Sequence, residues 1–102
     1  MKAGIGQTLA STVDATAVVV VRWPDVDLEL TCGGRPMVDA KDPAAGSGTP
    51  DPAQTAGSQL GKRYVDAAGT VEVLCTKAGT GTLAVGGEPL IIKAARALPA
   101  SD

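Results

Sequence analysis

Two cysteines are the residues in this chain best suited to chemistry. Cys32 closes the stretch Leu28-Glu29-Leu30-Thr31-Cys32 ahead of Gly33-Gly34. Cys75 closes Val71-Glu72-Val73-Leu74-Cys75 ahead of Thr76-Lys77-Ala78-Gly79. The chain has no histidine, so these two side chains are its only soft nucleophiles or soft metal ligands. Both share phase with the apolar side of an alternating stretch, where a free cysteine serves as a small buried hydrophobe. If the two strand ends lie side by side, the thiols could instead form a disulfide or supply half of a tetrahedral zinc site. The missing half would have to come from Asp, Glu, water or a second copy of the chain. A redox-active Cys-x-x-Cys is excluded by the spacing.

Catalysis lacks its usual parts. Without histidine there is no side chain whose ordinary pKa lies near neutrality and no Ser-His or Cys-His pair. Asp25, Asp27 and Glu29 repeat every second residue. Two carboxylates could serve as a general acid and base, but this spacing is also that of a solvated strand face. Gly79-Thr80-Gly81 has the composition of a phosphate loop, yet a strand pattern follows it and not the helix N-terminus such a loop requires. Lys62-Arg63-Tyr64 is a small basic and aromatic cluster. Arg63, Tyr64 and the lone Trp23 are the candidate partner contacts.

The elements that must position these groups read as short strands. Residues 15–23 contain four consecutive valines and end at Pro24, the pattern of a central strand. Residues 26–32 alternate, with Val26, Leu28, Leu30 and Cys32 on one face. Trp23-Pro24-Asp25 between them reads as a turn, so the two runs are expected to form a hairpin. Residues 7–10 suggest a lead-in strand, 35–38 a short edge piece and 70–76 another alternating strand. Residues 82–85 and 88–92 flank Gly86-Gly87, whose tolerance of positive φ marks a two-residue hairpin turn. Pro89 confines the second arm to an edge. Residues 93–98 read as a helical turn or loose tail, and 98–102 as an exposed terminus. No internal repeat stands out.

Residues 39–61 are Ala, Gly, Pro, Ser, Thr, Asp and Gln with scarcely an apolar side chain. Such a segment buries too little to offset its ordering entropy, so it reads as a flexible loop inside one domain. The expected fold is all-β: a single domain spanning 1–102, a small barrel or sandwich of five to six short antiparallel strands interrupted by that loop.

Composition narrows the function. The chain carries nine basic and eleven acidic residues, and its pI is near 4.9. A nucleic-acid surface needs a basic patch and stacking aromatics, and neither is present. No segment has the length of a membrane span or the layout of a signal peptide, which points to the cytoplasm and reduced thiols. Phenylalanine is absent, so the core must be small aliphatics, and a thin core invites support from a partner or a second copy. These features favour a non-catalytic accessory module, without a cofactor, that binds a larger protein or assembles with itself. The alternative is a small thiol or zinc protein using Cys32 and Cys75, with the metal shared across a dimer.

Overall fold

The computed structural model describes residues 3–42, 45–46 and 48–93. The tail expected over residues 93–98 therefore lies outside the described residues beyond Lys93, as does the terminus 98–102. The strands are β1 (Thr8–Ala10), β2 (Ala17–Arg22), β3 (Leu30–Cys32), β4 (Arg35–Pro36), β5 (Val38–Asp39), β6 (Arg63–Val65), β7 (Glu72–Lys77), β8 (Leu83–Val85), β9 (Glu88–Pro89) and β10 (Ile91–Ile92). They form two antiparallel sheets. The larger has the order β10-β6-β7-β2-β1-β5 and the smaller β4-β3-β8-β9. Both sheets send side chains into one cluster: Leu9, Val18, Val20, Val73 and Cys75 from the first, Leu30, Cys32 and Leu83 from the second. Among the described residues no helix is long and apolar enough to cross a membrane.

The strand orders read the same from either end, because the fold is an internal duplication. Strands β1 to β5 and β6 to β10 are two copies of one five-stranded unit related by a pseudo-two-fold axis. The register obeys the symmetry residue by residue. In the central pairing, Ala17 faces Lys77 and Arg22 faces Glu72, while Val18 faces Cys75 and Val20 faces Val73. In the small sheet, Leu30 faces Val85 and Cys32 faces Leu83. The axis passes through the Val19–Leu74 and Thr31–Ala84 pairs. Connections repeat too: Met37 N donates to Leu30 O and Leu90 N to Leu83 O, both at 2.8 Å. Along β2 and β7 burial follows one pattern: buried, buried, half-buried, buried, exposed, exposed.

This corrects the expectation of no repeat. Gly33-Gly34-Arg35-Pro36-Met37-Val38 and Gly86-Gly87-Glu88-Pro89-Leu90-Ile91 are the same element written twice. Each glycine pair has positive φ, 64° and 85° in one copy and 58° and 86° in the other. Two consecutive positive φ values are what a type I′ hairpin turn demands, so only residues without a Cβ penalty fit. After each turn the chain forms an edge strand of the small sheet containing a proline. It then crosses at Met37 or Leu90 to an edge of the large sheet.

Two local expectations are also revised. The strands β2 and β3 do not pair as a hairpin; they lie in different sheets, and Val26 is 51% exposed. Each five-stranded unit splits its strands between the sheets, which short-range turn signals cannot reveal. Among the described residues ten short strands stand where five or six were expected. The described residues of the 39–61 segment are tied to the sheets: Gly46 N donates to Ser11 O, Gly48 N to Thr12 O, Asp51 N to Gly33 O, and Gln54 O accepts from Thr82 N. Asp51 caps a 3-10 turn over Pro52–Gln54.

Candidate functional site

Symmetry separates what the fold requires from what one half adds, and the cysteines fall on the first side. Cys32 occupies the place of Val85, and Cys75 the place of Val20. All but Val85, which is half-buried, are buried. Both thiols are free. Among the described residues no group of three Cys, Asp or Glu side chains is arranged to hold a metal.

What the first half adds is a polar cluster around Asp14. Its Oδ1 accepts from Thr16 N at 2.9 Å and its Oδ2 from Gly81 N at 2.6 Å. Thr16 Oγ1 donates to Oδ2 at 3.1 Å and also meets Ser58 Oγ at 2.8 Å. Ser58 Oγ in turn accepts from Gly79 N at 3.2 Å. Cys32 Sγ lies 3.8 Å from Asp14 Oδ1, and Cys75 Sγ donates to Lys77 O at 3.2 Å. Asp14, Thr16 and Cys32 belong to the first half, and Ser58, Gly79 and Gly81 to the second or its lead-in. The cluster is therefore a lock between halves.

The electrostatics agree with a structural role. Burial pushes the Asp14 carboxyl up, but hydrogen bonds from Thr16, Gly81 and Ser11 outweigh it and leave the pKa below the ordinary value. Burial pushes the Cys32 thiol up to about 11; the Asp14 charge adds to the rise, and contacts with Thr16 and Ser11 oppose it. Burial likewise raises the Cys75 thiol. Thiols held protonated are poor nucleophiles and poor metal ligands at neutral pH.

Two clefts mark where the halves differ. The first, about 310 Å³, lies beside Ser11, Asp14, Thr16 and Lys77, with Thr8, Ala17 and Ala40 along its wall. At the positions of Thr8, Ala17 and Ala40 the second half carries Arg63, Glu72 and Lys93, which form an ion-paired triad. Glu72 Oε2 lies 3.1 Å from Arg63 Nη1, and Oε1 lies 3.1 Å from Lys93 Nζ. Lys93 pulls the Glu72 pKa down, burial opposes, and Arg63 adds to the lowering.

The other cleft, about 240 Å³, belongs to the second half and is lined by Ala67, Ala68, Val85, Pro89 and Ile91, with Asp66 and Glu88. Its counterpart is closed: Val13, which takes the place of Ala68, is only 6% exposed, and residues 48–51 run across it. Gly48 and Pro50 pack against that region, as contacts from the Gly48 and Gly33 Cβ positions to Val13 and Pro50 show. Beside the open cleft, β10 forms the large sheet's outer edge, with Ile91 61% and Ile92 40% exposed.

The expected contact residues divide. Arg63 stands at the surface in its ion pair with Glu72. Tyr64 is a core residue, 6% exposed, whose hydroxyl accepts from Gln59 N at 2.9 Å; this corrects its placement on a contact surface. Trp23 is half-buried against the core, and its Nε1 is buried without a hydrogen-bond partner among the described residues. Sequence reasoning missed Ile91 and Ile92, because an alternating strand and an unguarded edge carry the same residue types. The repeated Gly-Gly-x-Pro signature was the available signal. Comparison with known proteins finds no matching family model, no matching curated protein and no matching solved structure.

Proposed function

We propose that the chain is a non-catalytic interaction module, a small β sandwich acting as a cytoplasmic accessory component. Its second half binds another polypeptide along β10 and the adjacent cleft. The observation that carries this reading is the contrast between equivalent edges. On β5 the first half places Asp39, whose carboxylate accepts from Gln7 Nε2 at 3.2 Å and from Lys41 N at 2.9 Å, and the linker between the halves covers the flank with residues 48–51. At the same position of the second half stands exposed Ile92, beside an open cleft. Edge strands are normally blunted by charge, proline or cover, so a bare aliphatic edge suits strand addition. Two buried cysteines that are not joined to each other suit a reducing compartment.

The test is site-specific photo-cross-linking in cells. A benzophenone at Ala68 should give a discrete adduct, with a partner or a second copy, that disappears with Ile92→Lys. A benzophenone at exposed Thr80 should give none. Equal diffuse adducts from both positions would reject the reading.

A further inference from the structure

The closed flank of the first half shows what the open flank of the second is built to hold. There, Val13 fills the pocket, and the linker crosses it by donating Gly46 N to Ser11 O, Gly48 N to Thr12 O and Asp51 N to Gly33 O. The counterpart carbonyls are those of Asp66, Ala67 and Gly86. Ala67 O and Gly86 O accept no hydrogen bond among the described residues, and Ala68 leaves vacant the volume Val13 occupies. The charge is reversed as well. Arg35 of the first half, next to the Gly34 position against which Asp51 packs, is replaced by Glu88 in the second.

Resting on the interaction-module reading, we infer that the second-half flank is a groove for an extended basic peptide. A valine-sized side chain of that peptide enters between Ala68, Val85 and Pro89. Its backbone N–H groups donate to Ala67 O and Gly86 O. A Lys or Arg on it takes the place of Asp51 and faces Glu88. The linker is thus an internal copy of the ligand's backbone path with the opposite charge.

The probe is a pair of synthetic heptapeptides patterned on residues 46–52: Gly-Val-Gly-Thr-Pro-Lys-Pro and the same peptide with Asp in place of Lys. Each is titrated into the full-length ¹⁵N-labelled protein. Saturable shifts confined to Asp66, Ala67, Ala68, Val85, Gly86 and Glu88 are expected with the lysine peptide. The aspartate peptide should bind about fivefold more weakly, the scale of a rim charge contact, and Glu88→Gln should narrow that gap. Shifts confined to Ser11, Thr12 and Gly33, equal affinity for both peptides, or no binding would overturn the inference. Contacts in the free protein between residues 94–102 and the cleft would also overturn it, by making the occupant intramolecular. A cross-linked adduct at Ala68 combined with failed peptide binding would leave the interaction reading standing and remove only the basic-peptide assignment.

Discussion

Val19 and Leu74 face each other across the central strand pair, and the pseudo-two-fold axis runs between them. Every other partnership in this central strand pair has a counterpart related by the axis. The relationship makes each half a control for the other. Residues alike in both are requirements of the fold, and residues that differ are where one half does something extra.

Asp14 is the strongest such difference, since the second half has Gly69 in its place. Asp14→Ala would strand the buried Gly81 N–H and the Thr16 N–H. Each unsatisfied donor costs about 1–3 kcal/mol, so urea denaturation at neutral pH should show a loss of about 2–6 kcal/mol. A second variant, Asp14→Asn, fixes the sign of the acid response. The folded-state pKa of Asp14 is lowered, so its contribution is fully present above the unfolded carboxylate value. It is lost as pH falls through the folded one. The gap between wild type and Asp14→Asn should therefore shrink with acidification below about pH 4.

Glu72 is a contrasting case. It is buried, but Arg63 and Lys93 keep side-chain exposures of 54% and 51%. Both cations can return to water when the carboxylate is removed. Glu72→Gln should cost no more than about 1 kcal/mol, well below Asp14→Ala in the same urea series.

Gly81 is held by close approach. A Cβ there would lie 2.7 Å from Cys32 Sγ and 2.8 Å from Gly33 N. Gly81→Ala should lower stability by about 1–3 kcal/mol, the range for overpacking. Adding Cys32→Ala should recover only part of the loss, because the backbone contact remains. Thermal denaturation of the single and double variants measures both.

The cysteines should behave as the valines that replace them across the axis. Cys32→Val with Cys75→Val should fold with a loss below about 1.5 kcal/mol, as volume-conserving core changes do. In the wild type at neutral pH, Cys32, with its pKa near 11, should react with a thiol reagent only at the rate of unfolding. Rapid labelling of the folded protein would contradict the buried-core account.

The all-β class, the central position of residues 15–23, the Gly86-Gly87 turn and the edge role of Pro89 were legible because alternation, β-branching and turn chemistry are local. The duplication was not, because outside the Gly-Gly-x-Pro segments the halves kept the burial pattern and changed the residues: Thr16 against Val71, Asp14 against Gly69. Burial tolerates any side chain of suitable size and polarity, so pairing by symmetry leaves a weak trace in sequence. The pairing of β2 with β7 joins residues far apart in the chain, which no short-range pattern encodes. Cys32 and Cys75 drew attention as rare reactive types, yet their valine counterparts show that packing explains them. Ile91 and Ile92 drew none, although their exposure at an edge is the more informative fact.

The account rests on one flank being closed and its twin open, and a labelling-rate comparison tests this most directly. In the Cys32→Val, Cys75→Val background, single cysteines are placed at the equivalent positions Val13→Cys and Ala68→Cys. Both are then reacted with a small maleimide under native conditions. The account predicts rapid labelling at position 68, and labelling at position 13 only as fast as the protein opens. Equal rates, or faster labelling at position 13, would contradict it.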